Sequence, residues 1–330
     1  MRRGLLAWFH KNGRDLPWRR PKFSSDYAVA VSEFMLQQTQ VASVIPYFEK
    51  WITRWPDWHS LAAADEKEIF ALWSGLGYYR RARNLHRLAQ ALVEKHLDEL
   101  PREESELIKF PGIGDYTAAA IQTFAYDLPA PAVDANIARV LARIHNFRKP
   151  IDTTSGKKEI RRYAEALQFK SSGRLLNSAL MDLGASLCRA GEPDCRSCPI
   201  ARDCQADDPA SIPVKRKKTQ VTKQGDPRLL IVDADKKHLY LAHSKGPRWQ
   251  GLWILPPLAD FDKKYCSLVY RSNYSITRYR MDLQVYRVFS TPEILRDLKN
   301  SEYPVTRISI KNLPTLGVPS PFRKALTELL

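Results

Sequence analysis

Four cysteines fall within one short stretch, Cys188, Cys195, Cys198 and Cys204, at the spacing C-x6-C-x2-C-x5-C. Thiolates this close can surround a single metal centre. A reducing compartment disfavours pairing them as disulfides. Tetrahedral zinc and an iron–sulfur cluster both take four sulfurs, and the spacing leaves both open. Arg189, Arg196 and Arg202 lie among the cysteines, so a metal-pinned loop would either present arginines to phosphates or simply staple a helical domain. Two acids stand out elsewhere. Glu33 follows Ser32, which reads as a helix cap, and Asp134 opens a helix in the run Ala132-Val133-Asp134-Ala135-Asn136. An acid at a helix start ordinarily complements the helix dipole. Cleaving a glycosidic bond, however, needs two carboxyl groups, one protonating the leaving group and one stabilising a cationic sugar. Phe110-Pro111-Gly112-Ile113-Gly114 adds a glycine hairpin between helical stretches, either a phosphate-binding turn or an ordinary helix–helix turn.

These residues need a scaffold, and the first half of the chain reads as helical. Apolar residues recur at helical spacing from Val41 to Trp51, with Pro46 inside, and again over 66–73 and from Leu85 to Leu92. Further helices are expected over 116–125, from Val133 to Ile144, and over 157–167 and 175–187. After Cys204 the character changes. Residues 207–226 carry prolines and the basic run Lys215-Arg216-Lys217-Lys218 and read as a linker. Residues 228–233 and 238–243 read as two strands joined by a polar turn, 283–289 as another strand, and 322–330 as a closing helix.

The chain has 330 residues, enough for two domains, with 52 Lys and Arg against 36 Asp and Glu, a net charge of +16. That surplus points to a polyanionic partner, nucleic acid or an anionic membrane surface. A hydrophobic fraction of 44% excludes a disordered basic tail. No apolar run approaches the roughly 20 residues of a membrane span, and the N-terminal apolar stretch is too short for a secretory signal. A cytoplasmic, nucleoid-associated protein is expected.

Taken together, the residues resemble the MutY-type adenine DNA glycosylases of the endonuclease III-like, helix-hairpin-helix superfamily. The resemblance spans about residues 5–205. It rests on Arg14-Asp15-Leu16-Pro17-Trp18-Arg19, the run Val31 to Gln40 with its Gln37-Gln38 pair, Leu72 to Tyr79, Pro111 to Thr117, Ala132 to Asn136 and Asn177 to Gly184. The cysteine spacing also matches that family. The resemblance implies a mainly α N-terminal helix-hairpin-helix glycosylase domain (1–206) with a [4Fe-4S] cluster on Cys188, Cys195, Cys198 and Cys204. A basic linker (207–226) and an α/β Nudix-like C-terminal domain (227–330) follow. It implies that Glu33 protonates the departing adenine at N7, that Asp134 stabilises the cationic sugar, and that Tyr116 and Asn136 support the two acids. Arg14 and Trp18 would line the adenine pocket, Gln37 and Gln38 would probe and wedge the base stack, and Tyr78 would insert beside the opposing base. Gly112 and Gly114 form the hairpin at the DNA backbone.

The implied partner is double-stranded DNA carrying adenine opposite 8-oxoguanine or guanine, bound by a monomer. The target base must be flipped out of the stack. Bifunctional relatives carry a lysine where this chain has Tyr116, so base removal without efficient strand cleavage is expected. Glu33 should hold a proton near neutral pH, through burial, while Asp134 stays ionised.

In the C-terminal part, Arg248 to Pro256 gives the clearest local match, but no glutamate-rich metal box follows it, which excludes pyrophosphohydrolase activity. Tyr274-Ser275-Ile276 stands where the family has a Phe-Ser-His recognition loop. Ser275 is retained as a lesion contact, and Ile276 replaces a histidine with a side chain that has no hydrogen-bonding atom. Ala135 replaces a frequent glycine beside Asp134. Cys266 reads as a small semi-buried side chain. A related glycosylase acting on G:T mismatches and a noncatalytic iron–sulfur DNA-binding protein are the alternatives. The Gln37-Gln38 pair opposes the first and retention of both acids the second.

Overall fold

The structure, a computed structural model, describes residues 1–168, 172–216, 221–246, 249–258, 266–276, 278–299 and 301–330. Lys217 and Lys218 of the basic run and Arg248 of the C-terminal motif lie outside the described residues. Helices come first: α1 (Arg2–Asn12), α2 (Asp26–Leu36), α3 (Val41–Arg54), α4 (Trp58–Ala62), α5 (Glu66–Trp73), α6 (Arg80–Glu94), α7 (Glu104–Leu107), α8 (Asp115–Phe124), α9 (Ala135–Ile144), α10 (Thr154–Gln168) and α11 (Gly173–Ser186). A mixed α/β region follows: β1 (Thr222–Val232), β2 (His238–His243), β3 (Trp253–Ile254), β4 (Ser267–Ile276), β5 (Tyr279–Phe289), α12 (Pro292–Lys299), β6 (Val305–Ser309) and α13 (Ser320–Leu329). Among the described residues no helix is long and apolar enough to cross a membrane. The chain divides into two compact units, Met1–Ala62 with Arg87–Lys217, and Ala63–His86 with Lys218–Leu330.

In the first unit, α2 is buried along Asp26–Met35, so it lacks the polar stripe that marks a surface helix. Ser25 caps it, its side chain accepting from the Ala28 N–H at 3.2 Å. Ser32, expected to be a cap, is instead buried mid-helix, with Oγ donating to Val29 O at 2.8 Å. Glu33 therefore sits in the C-terminal half of α2, away from any helix start. The true cap position of α3 is Gln40. On α9 the buried Ile137, Val140, Leu141 and Ile144 recur every three or four residues and join Leu5, Leu176, Leu180 and Leu183 in one core. The helices α9 and α11 approach closely at Gly184, where an added Cβ would lie 2.7 Å from Asn136 Cβ. The start of the expected linker is a strap on this unit. Ile212 is buried in the same core, Gln205 N–H bonds Ile144 O at 3.0 Å, and Ile151 N–H bonds Val214 O at 3.1 Å.

In the second unit β1 carries buried Leu229–Val232, alternating between two cores. One face, with Leu230, Leu241, Leu283 and Val285, packs on Phe322 and Leu326 of α13. The other, with Leu229, Ile231 and Val288, packs on Leu298 of α12. The sheet runs β3-β2-β1-β5-β4, with β6 also pairing β2. β1 and β5 are parallel from Thr222↔Tyr279 to Val232↔Phe289. Residues 222–226, read as the end of the linker, are thus strand; pairing with β5 holds them extended although their outward positions are polar. Tyr274, Ser275 and Ile276 close β4, opposite Met281, Arg280 and Tyr279 of β5.

Candidate active site

A cleft of about 780 Å³ opens in the first unit. Arg14, Trp18, Glu33, Gln37, Gln38, Gly112, Gly114, Tyr116, Asp134 and Asn136 all line it, so ten of the expected site residues meet at one place. The last turns of α2 bring in Glu33 and the two glutamines, and Gln38 holds φ at +58° where the chain leaves the helix. The starts of α8 and α9 bring in Tyr116 and Asp134.

The two carboxyls sit in different surroundings. Glu33 is 7% exposed, and burial pushes its carboxyl up to about 7. The Tyr116 hydroxyl donates to it and opposes that rise; the charge of Asp134 adds to it and Arg19 lowers it. The Tyr116 phenol is itself raised well above its ordinary value, by burial and then by the charges of Glu33 and Asp134. Asp134 caps α9: Ile137 N–H donates to Oδ1 at 2.7 Å and Asn136 Nδ2 to Oδ2 at 2.8 Å. Both oxygens therefore accept from N–H groups, which favours the charged form. Burial still carries the Asp134 carboxyl above its ordinary value, so the helix start alone does not set its charge as expected from the sequence.

Asn136 is held in turn. Its Oδ1 accepts from Arg139 Nη2 at 2.9 Å, and Arg139 also donates to Gly184 O at 2.7 Å and Cys188 O at 2.8 Å. Arg14 and Trp18 line the cleft wall, Trp18 edge-on to Phe48 at 5.4 Å. Arg14 and Arg19 both clamp Asp182, at 2.6 and 2.8 Å. Although burial pushes the Asp182 carboxyl up, the two guanidiniums hold it below its ordinary value. Of the hairpin glycines, Gly112 needs its lack of a side chain for φ +80°. Gly114 does not: its φ is −110°, and an added Cβ would meet nothing within 4 Å, so it leaves open space instead of enabling a turn.

The four cysteines line a second, smaller cavity of about 160 Å³ in the same unit. Burial, then the neighbouring thiols, push the Cys195 thiol up; Cys198 is raised by burial first as well. Four thiols around one cavity suit a single centre held by four sulfurs, as zinc or an iron–sulfur cluster would be. Arg143, 2% exposed, pins the loop by donating to Arg189 O at 2.8 Å, Ile212 O at 2.9 Å and Cys188 Sγ at 3.3 Å. Arg189, Arg196 and Arg202 are exposed on the loop, as a phosphate-contact surface requires.

Two expected residues, Tyr78 and Ser275, belong to the other unit. Tyr78 is 49% exposed with φ +47°, and Ser275 is exposed at the end of β4. Cys266 packs partly buried against the core beneath α12. Sequence reasoning passed over Arg19, Asp182, Arg139 and Arg143. Arg19 and Asp182 lie inside quoted motifs, while the helical spacing of Asn136, Arg139 and Arg143 on α9 was a readable signal.

Residues 31–168 match the HhH-GPD superfamily base excision DNA repair protein family. This part of the chain is similar to that family, in line with the resemblance read from the sequence. Relatives that match in sequence include adenine DNA glycosylases. That of Mycolicibacterium smegmatis is 41% identical over 198 residues, 60% of this chain and 66% of the relative. That of Mus musculus is 41% identical over 212 residues, 62% of this chain and 41% of the relative. That of Buchnera aphidicola subsp. Schizaphis graminum is 29% identical over 340 residues, 98% of this chain and 96% of the relative. The chain thus spans less than two thirds of the length of several curated relatives it matches. Among solved structures, a thermostable thymine-DNA glycosylase superposes with a TM-score of 0.56 at 26% identity, covering 62% of this chain and 93% of that one. An endonuclease III trapped covalently on DNA superposes at 0.52 and 24% identity, covering 61% of this chain and 91% of that one, a likeness of fold. The expected fold class is borne out: a helical N-terminal domain followed by a mixed α/β region.

Proposed function

We propose that this protein is a base excision repair enzyme that hydrolyses the N-glycosidic bond of adenine in duplex DNA, opposite 8-oxoguanine or guanine. The observation that carries the reading is the pair Glu33 and Asp134 on one cleft, with Tyr116 donating to the first and N–H groups to the second. Raised to about 7, Glu33 keeps a proton at neutral pH that it delivers to N7 of the flipped adenine, turning a poor leaving group into a neutral one. Asp134, its oxygens turned to N–H donors, faces the cationic sugar as a carboxylate. Asn136 and Tyr116 hold the two acids. Trp18 and Arg14 bound the base pocket, Gln37 and Gln38 fill the stack, and Gly112 and Gly114 receive the backbone phosphate. Tyr78 wedges beside the opposing base and Ser275 contacts the lesion. Tyr116 offers no amine for a Schiff base, so the strand stays intact after the base leaves. The excess of basic residues supplies the attraction to DNA.

Cys188, Cys195, Cys198 and Cys204 hold a [4Fe-4S] cluster; their convergence on one cavity and their spacing support this. When bound, such a cluster cross-links the loop and offers a one-electron redox centre.

Single-turnover excision on duplexes with adenine opposite 8-oxoguanine, G, C and T, and thymine opposite G, tests the reading. Adenine should leave fastest opposite 8-oxoguanine, and Glu33→Gln and Asp134→Asn should bind duplex without releasing it. Release of thymine from G:T in place of adenine, or normal excision by both variants, overturns it.

A further inference from the structure

Tyr78 is built on the unit that carries Ser275, not on the unit that carries the two carboxylates. The segment Ala63–His86 and the C-terminal region Lys218–Leu330 form that one unit. Within it the Tyr78 turn is conformationally demanding. Gly75 and Gly77 have φ of +112° and +70°, and Tyr78 itself has φ +47°. A non-glycine residue persists there when its surroundings over-determine it.

Two sets of contacts do so. From within the segment, the Trp73 indole donates to Gly77 O at 3.0 Å, and buried Arg81 donates to Leu76 O and Gly77 O at 3.0 and 3.1 Å. The Arg81 guanidinium lies over the rings of both Trp73 and Tyr78, at 5.4 and 5.5 Å. From the C-terminal region, Val318 O accepts from the hydroxyl of Tyr79, the residue beside Tyr78, at 3.0 Å. Gln250 O accepts from Arg83 Nη2 at 2.6 Å. The approach is close enough to exclude side chains. A Cβ on Gly317 would lie 2.9 Å from Phe70 Cβ, and one on Gly251 2.7 Å from Arg83 Nη2. Gly317 O in turn accepts from Trp253 N–H of β3 at 2.9 Å, and the sheet runs on from β3 to β4, where Ser275 lies.

We propose that Tyr79 is a positioning residue. By donating to the Val318 carbonyl it locks the Tyr78 turn to the sheet that carries Ser275, so that Tyr78 and the Ser275 end of β4 engage the base opposite the excised adenine as one body. This rests on the reading above of Tyr78 as the wedge and Ser275 as the lesion contact. That reading concerns which residues touch DNA; the inference concerns what couples them.

Tyr79→Phe in the full chain removes one hydroxyl and keeps the ring, which packs edge-on against Phe70 at 5.8 Å. Two measurements follow it. Hydrogen exchange of residues 73–80 and 316–319 in the free protein should accelerate in both segments. The ratio of single-turnover rates opposite 8-oxoguanine and opposite G should fall about five-fold, the usual net worth of one hydrogen bond. In a double-mutant cycle with Tyr78→Ala, the second substitution should add nothing further to that loss. Unchanged exchange, or fully additive losses, would overturn the coupling. If Tyr78→Ala alone leaves the ratio unchanged, it is the wedge reading that falls, and the exchange result then decides the clamp by itself.

Discussion

Replacing Glu33 by glutamine should make the protein more stable, by an amount that grows as pH rises above 4.5 and is largest above about 7. In the folded chain burial holds the Glu33 carboxyl at about 7, against an ordinary value of 4.5. Between those values the folded chain keeps a proton that the unfolded chain gives up, so this group lowers stability as pH rises through the window from 4.5 to 7. Below 4.5 both states are protonated and the contribution vanishes. Above 7 the folded state carries an unfavourable buried charge. At about 1.36 kcal/mol per pH unit, the gap between the two values amounts to about 3 kcal/mol. Glutamine is neutral, keeps the volume, and can still accept from the Tyr116 hydroxyl. Urea unfolding of the wild type and Glu33→Gln at pH 8 and pH 5 isolates the effect, since every other titrating group is common to both. The variant should gain about 3 kcal/mol at pH 8 and little at pH 5. The wild-type excision rate should decline as pH rises past about 7, where Glu33 loses its proton. Equal effects at the two pH values, or a loss of stability at pH 8, would refute the argument that burial holds this acid protonated.

Other outcomes follow from close contacts. Gly184→Ala brings a Cβ to 2.7 Å from Asn136 Cβ and to 3.2 Å from its backbone. Asn136, which donates to Asp134, must shift, and a displacement of even a fraction of an ångström should slow single-turnover excision about ten-fold while duplex affinity holds. Arg143→Met leaves the carbonyls of Arg189 and Ile212 without their donors. It should cost about 3 kcal/mol by denaturant unfolding, and iron and sulfide per chain should fall in the same preparation.

Much of this was legible in the sequence, for identifiable reasons. The helix Glu66–Trp73 and the Asp134 cap of α9 stand out because one face of each helix is apolar and the other is not. The helix α2 gives no such rhythm, since it is buried on every side, and Ser32 was mistaken for a boundary where none exists. Strand β4 is half-exposed on an edge, and 222–226 are held extended by a partner strand more than fifty residues away; neither leaves a local pattern. The cluster of cysteines was readable, but the cavity that the four share with Arg143 was not. The clamp of Arg14 and Arg19 on Asp182 joins residues 168 and 163 positions apart. Pairing at such separations is a property of the fold, and no spacing rule reveals it.

The Tyr79–Val318 hydrogen bond closes a loop of 239 residues. A ribosome adding about 5–20 residues per second takes roughly 12–48 s to deliver the second partner after the first. Throughout that interval Phe70 and Tyr79 have been made while Gly317 and Val318, which approach them, have not. Nascent chains of this protein therefore carry the Tyr79 hydroxyl without its Val318 partner for most of their synthesis. A chain interrupted before Val318 is released with Glu33 and Asp134 present and the Tyr78 turn without the Tyr79 bond.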